Sequence, residues 1–341
     1  MIYKKFWVHE VRNAKSTLYG AEVKLKIEQG QALLLAGNEE SLRQLPAGHW
    51  IGGTIPYFMG EAGGLSTREK IYVTELPDYV QSFEVKSYNE ENIAHIYKDV
   101  PENGFGLIIL PASSGIHLAF ALNSPAYPEF ATRHLIGWVS GVHLTDLGKI
   151  TPKVFDGEHL QVMEDQAVVM QVKLQSGKIA EIGILNIFEQ GMGDTITFSR
   201  DGFSATDAYI NGEKHNLADY ISANNFSAKL PLVADYSGVS VNISFQSINT
   251  ENHEVVFYAP VFSGIRYRLA KPVSDYVAEF VSRIPTNGSD IVFSCNCILN
   301  YLYSELEGKK TGEITGPMTF GEVAYQLLNQ TMVYLTVSDL A

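Results

Sequence analysis

Cysteine is nearly absent. Cys295 and Cys297, one residue apart, are the only two in 341 residues. That excludes a disulfide framework, and a bridge between residues so close would be strained. The scarcity fits a reducing compartment, and a cytoplasmic location is expected. Positive charge is also short, with 25 Lys and Arg against 38 Asp and Glu and a net charge of −13. Clustered Lys and Arg hold phosphate backbones and anionic bilayers, so neither a nucleic acid nor a membrane is an expected partner. No apolar run approaches the roughly 18–20 residues a membrane span needs. Lys4 and Lys5 stand near the start, but His9, Glu10 and Arg12 break up the apolar stretch a leader would need, and no secretory signal is read. A free-standing cytoplasmic domain pair without an output module is the expectation. Catalytic signatures are missing too. There is no G-x-S-x-G elbow, Walker A loop or zincin helix, and Gly191-Met192-Gly193-Asp194 lacks the full dinucleotide pattern.

What is present reads as strand-rich. Hydrophobic residues make up 45%, aromatics 11%, and there are 29 glycines, which suits strands joined by many turns. The length allows two domains. Residues 1–30 form a charged lead-in, in which 23–27 alternates as a strand would, with a helix from Ser16 the other reading. Residues 33–37 are a short buried strand, with Asn38 placed to cap a helix whose first turn holds Glu39 and Glu40. Segments 71–76 and 81–88 read as an antiparallel pair around Pro77-Asp78, followed by a short helix over 90–98. The unbroken apolar run 105–110 is a central strand ending in Pro111-Ala112-Ser113-Ser114-Gly115. A helix begins there, and 134–139 is a second buried strand. Strands are expected at 167–174, 179–188 and 194–199, the first two joined by a hairpin-like turn, Gln175-Ser176-Gly177-Lys178. The small polar segment 222–228 marks a boundary. Beyond it lie strands at 239–245, 254–258 and 263–268, an amphipathic helix over 273–283, and buried strands at 291–293 and 332–337.

The closing stretch carries a resemblance. It runs from Cys295-Asn296-Cys297 at a strand end, through Gly321-Glu322, to Asn329-Gln330-Thr331 before a final strand. This order resembles the end of the FIST domain, a two-part sensory domain of bacterial signalling proteins. There a "GE" turn precedes "N-x-T"; the arginine expected after the cysteine is replaced by Ile298-Leu299. Ile51-Gly52-Gly53-Thr54 is similar to the first-half strand-turn of the same domains, with Gly53 in place of a cysteine and Pro56 altering the spacing. The resemblance implies an α+β protein of two mostly antiparallel sheet domains with helices packed on them, over 31–222 and 226–341. It also implies small-molecule sensing, with an amino acid or related metabolite as ligand and a signalling protein as partner.

Polar, glycine-flanked strand ends from both halves make the candidate site: Trp50, Thr54, Ser114, Cys295, Asn296, Glu322 and Asn329. Trp50 would stack on a ligand. Thr54, Ser114, Asn296 and Asn329 would hydrogen-bond to it, Glu322 would pair with charge, and Cys295 would form a polar wall. Each has a structural alternative. Trp50 is equally a core aromatic, Ser114 a helix N-cap, Glu322 the cap of a helix over 323–328, and Cys295 a small buried residue. Binding without catalysis is expected, with no catalytic residues and no metal ligands. The alternatives are a haem-dependent gas sensor using one of His49, His117, His134 or His143, a hydrolase or thiol enzyme using Ser114 with His117 or using Cys295, and an interaction module with no pocket.

Overall fold

The computed structural model describes residues 15–236, 239–284 and 291–340. Residues 1–14 of the expected lead-in lie outside these. The chain is an α+β protein, 44% strand and 18% helix, with mostly antiparallel sheets.

Three strand–helix–strand units supply the parallel pairings. Leu33–Gly37 pairs in parallel with Trp50–Thr54 across the helix Glu39–Arg43. Gly104–Pro111 pairs with Leu135–Ser140 across the helix Gly115–Asn123. Ile291–Cys297 pairs with Gly316–Thr319 across the helix Ile298–Tyr303. Gly104–Pro111 is buried along its whole length, as an apolar run without alternation requires when both faces are covered. Antiparallel strands extend each unit into a six-stranded sheet, and two further sheets hold most of 196–269.

The division expected at 222–226 does not coincide with the sheets. Met332–Asp339 pairs with Lys178–Leu185, Gly316–Thr319 with Tyr57–Gly60, and Glu322–Ala324 with Leu135–Ser140. The principal core is likewise shared, with the Trp138 and Phe293 rings stacked at 5.7 Å between centroids. Gly53 sits where the first sheet meets this core. A Cβ there would come within 2.6 Å of Ile109 and 3.1 Å of the Trp138 indole nitrogen, so the glycine allows the sheets to approach.

Several local expectations are corrected. Residues 23–27 lie in the helix Gly20–Glu28, preceded by the strand Lys15–Tyr19. Lys70–Glu75 and Val80–Tyr88 do not pair around Pro77-Asp78; they belong to different sheets. The chain does turn at Gln175–Lys178, yet Ala167–Leu174 and Lys178–Leu185 also join different sheets. Residues 323–328 form no helix. Glu322–Ala324 and Gln326–Leu328 are antiparallel strands around Tyr325, whose φ is 62°. The amphipathic helix shortens to Tyr276–Ser282, N-capped by the Asp275 side chain, which accepts from Ala278 N at 3.0 Å. In each case the turn signal is local, whereas the strand partner is chosen by burial over the whole chain.

Candidate functional site

A cavity of about 640 Å³ opens at the carboxyl ends of two of the parallel strands, and a larger, more open and more polar one of about 1160 Å³ lies apart from it beside Gln190, Asn211 and Arg266. Ala112, Ser113 and Ser114 reach the first from Gly104–Pro111, and Cys297, Ile298 and Leu299 from Ile291–Cys297. Strand–helix junctions of this kind are where open α/β sheets place ligands, because the chain diverges there and leaves a crevice. Asn329 closes the inner wall and a loop including Leu144 and Ile150 the outer one. Much of the lining is apolar or aromatic, including Phe203, Phe257, Leu302 and Phe320. The helix Gly115–Asn123 packs against both Gln326–Leu328 and Glu254–Val261, which brings His117 and Asn329 to the same cleft.

His117 is the unexpected member. It is 7% exposed, and its Nδ1 accepts from Ser113 N at 3.3 Å. Burial pushes its pKa down to about 4, so the ring is neutral near pH 7 and the proton sits on Nε2. That Nε2–H has no protein partner. Asn329 is similar on one side only. Its Oδ1 accepts from Ser244 N and Ser244 Oγ at 3.2 and 2.6 Å, while its Nδ2 is unpartnered. Other buried side-chain atoms also lack partners, among them Trp138 Nε1 and Ser140 Oγ, but none of these belongs to a residue lining this cleft.

The expected site residues divide. Ser114 and Asn329 meet in the cleft. Ser114 is also the N-cap of its helix, its Oγ accepting from His117 N at 3.2 Å and donating to Pro111 O at 2.6 Å. Its proton is therefore directed to a carbonyl and away from the His117 ring, so no serine–histidine pair forms. Trp50 lies in a separate core under the helix Gly20–Glu28, stacked on Phe155, its indole N–H donating to Pro46 O at 3.0 Å. Thr54 faces another cavity, of about 400 Å³, beside Glu39, Arg43, Arg68 and Asp146; its hydroxyl donates to Lys153 O and accepts from Lys153 N. In that cavity Arg43 pairs with Glu39 at 2.7 Å and Arg68 with Asp146 at 2.8 Å. Cys295 and Asn296 border a space of about 10 Å³, room for no more than about one water.

Glu322 lies behind the cleft and does not line it. It is fully buried, with Oε2 accepting from Thr331 Oγ1 at 2.8 Å and from Thr331 N at 3.2 Å. Thr319 Oγ1 stands 3.4 Å from Oε1, and the Cys297 thiol lies beside the same carboxyl. Burial outweighs these bonds and pushes the pKa up to about 8, so the group is mostly protonated at neutral pH. Burial, then the field of Glu322, pushes both thiols well up, and Cys295 donates to Gly137 O at 3.3 Å. Neither thiol has the nearby positive charge that makes a cysteine nucleophilic. Asn296 is similarly occupied, its Oδ1 accepting from Cys297 N and Asn300 Nδ2 at 2.8 and 2.9 Å. No cluster of three or more His, Cys, Asp or Glu among the described residues is arranged to hold a metal ion. No helix among them is long and apolar enough to cross a membrane.

Sequence reasoning missed His117 as part of the cleft wall, and it missed the apolar walls. The signal for His117 was its place three residues after the Ser114 N-cap, on the first turn of a helix leaving a buried strand. For Phe203, Phe257 and Phe320 there was none, because an aromatic beside a cavity and one in a core look alike in sequence.

No curated protein matches the chain. A family model matches residues 18–338, and on that coverage the protein belongs to a family of unknown function, DUF6976.

Proposed function

We propose that this protein binds a small molecule in the cleft where the Gly104–Pro111 and Ile291–Cys297 strands end, and that it does so as a sensor in a signalling pathway. The observation that carries this is the convergence. Segments about 180 residues apart in sequence present their strand–helix junctions to one apolar cavity of about 640 Å³, a size typical of metabolite sites. The resemblance to FIST domains supports the sensory part and suggests an amino acid or a related metabolite. A ligand held there would tie together segments that reach the cleft from both halves of the chain, so binding would favour one arrangement of them, as a sensor requires. The two buried free thiols support a reducing, cytoplasmic setting. Catalysis has less support, since Ser114 serves as a cap and the thiols are held protonated.

Native mass spectrometry with a thermal-shift screen of cell extract fractions tests the reading. Wild-type protein should gain a bound mass and a higher melting temperature; a ligand at a hundred times its Kd adds about 2.7 kcal/mol. Leu302→Trp, at a cleft residue 36% exposed, should fill the cavity and abolish both. An undiminished response in Leu302→Trp would place binding elsewhere and overturn the proposal.

A further inference from the structure

Building on the ligand-binding reading, we infer that the cleft takes an uncharged, mainly hydrocarbon molecule, held by burial of its apolar surface and not by charge pairing. Two features of the lining carry this. The first is the mouth. Leu118, Leu147, Ile150 and Leu302 all border the cleft, and each is between 36% and 50% exposed. Exposed aliphatic side chains usually stand singly on a folded chain, and several around one recess mark an apolar binding site. They come from the helix Gly115–Asn123, the loop at 147–150 and the helix Ile298–Tyr303, so no single amphipathic element accounts for them. The second feature is depth. The lining continues inward to Phe257, Ile298 and Leu299, all buried, with Phe203 and Phe320 part-buried. The face of a protein partner would cover such a mouth but leave a recess of about 640 Å³ unfilled, whereas a small hydrocarbon enters it.

Charge is confined to the rim. Lys149 and Glu164 are the charged residues among the described lining, opposite in sign and both exposed. Lys149 donates to Thr145 O at 3.0 Å, and Glu164 pairs with Lys153 at 3.1 Å. The less exposed titratable groups of the lining are uncharged at pH 7. Burial holds the His117 ring neutral and keeps the Cys297 thiol and the Tyr258 phenol protonated. A carboxylate, phosphate or ammonium carried into the recess would lose its hydration and meet no counter-charge. The cations that an anionic ligand would need stand in the other cavities, Arg43 and Arg68 in one and Arg266 and Arg268 in another. Among the metabolites related to amino acids, this lining selects those that have lost both the ammonium and the carboxylate.

Calorimetric titration with decan-1-ol, decanoate and decylamine at pH 7 tests the assignment, with the uncharged dye N-phenyl-1-naphthylamine as a fluorescent readout of the same site. The three ligands share one hydrocarbon chain and differ in charge. Decan-1-ol should bind about tenfold or more tightly than either ion, because only the ions leave a charge unpaired. The dye should brighten on binding wild-type protein. Leu302→Trp should weaken both dye and decan-1-ol by about tenfold or more by filling the recess. Leu147→Asp, a change at a half-exposed loop residue that leaves the core untouched, should weaken both severalfold by placing a charge at the mouth. Dye and decan-1-ol binding undiminished in both variants would place apolar binding elsewhere and overturn the inference. Equal or tighter binding of decanoate or decylamine, lost in Leu302→Trp, would overturn the uncharged class and leave the cleft as a binding site. If neither the dye nor decan-1-ol binds, the ligand class is wrong, and the extract screen with Leu302→Trp decides separately whether the cleft binds anything.

Discussion

Two buried polar regions lie back to back in this protein, and they are finished differently. Around Glu322 the carboxyl accepts from Thr331, with Thr319 and Cys297 beside it and Asn300 Nδ2 bonded to Asn296, and Asn300 Oδ1 is the one atom of this group without a partner among the described residues. In two residues that line the cleft, His117 Nε2 and Asn329 Nδ2 are buried without a partner. Asn329 belongs to both regions, its oxygen bonded to Ser244 and its nitrogen buried without a partner. A bonded network specifies how strands meet, whereas a buried donor without a partner costs stability. The sequence placed Glu322 in the binding site because acids at glycine turns are often presented to ligands. Its position behind Cys297 gives it a scaffolding role.

The largest effect expected from this contrast is on stability. Glu322→Ala strands the Thr331 N–H and hydroxyl in a dry cavity and should cost about 3–5 kcal/mol in urea unfolding. A cost under about 1 kcal/mol would mean that the network does not hold the strands together.

The next is a dependence on pH with a definite sign. Glu322, raised from an ordinary 4.5 to about 8, keeps a proton in the folded chain that the unfolded chain releases. Its contribution is therefore complete below pH 4.5 and is lost as pH rises to 8. His117, lowered from 6.5 to about 4, works in the opposite direction. Its contribution is complete above pH 6.5 and is lost as pH falls toward 4. Between pH 6.5 and 8 only Glu322 of the two titrates, so wild type should lose roughly 2 kcal/mol there relative to Glu322→Gln. Parallel curves for the two proteins over that interval would show that Glu322 titrates normally.

The smallest effect completes the comparison. His117→Phe removes an open donor and keeps a ring of similar size, so stability should stay within about 1 kcal/mol of wild type or rise slightly. A loss comparable to that of Glu322→Ala would show that the ring is part of the scaffold and erase the distinction between the two regions.

The elements that were readable are those whose pattern has one physical solution. The apolar run before Pro111 has to be buried on both faces, and it is the central strand Gly104–Pro111. Ser114, following that strand and preceding an apolar helix, is its cap. Strand pairing was less readable. Pro77-Asp78 and Gly177 announce that the chain turns, but each sends the next strand into another sheet. The Gly321-Glu322 stretch enters a strand, with Glu322 in register with Trp138 on one side and Leu328 on the other, partners that no local signal names. The site was half readable. Ser114 and Asn329 share the cleft, while Trp50, Thr54, Cys295 and Asn296 fill other places.

The sequence by itself determined the strand-rich character, the absence of any helix-length apolar span, and which strand ends carry polar side chains. Each follows from composition or from neighbours within a few residues. Only the tertiary structure decided that the final strands complete sheets begun near the start, that Glu322 is sealed, and that His117 and Asn329 line one cavity. Solvent exposure and hydrogen-bond satisfaction depend on groups far apart in the chain, and those come together only when the sheets pack.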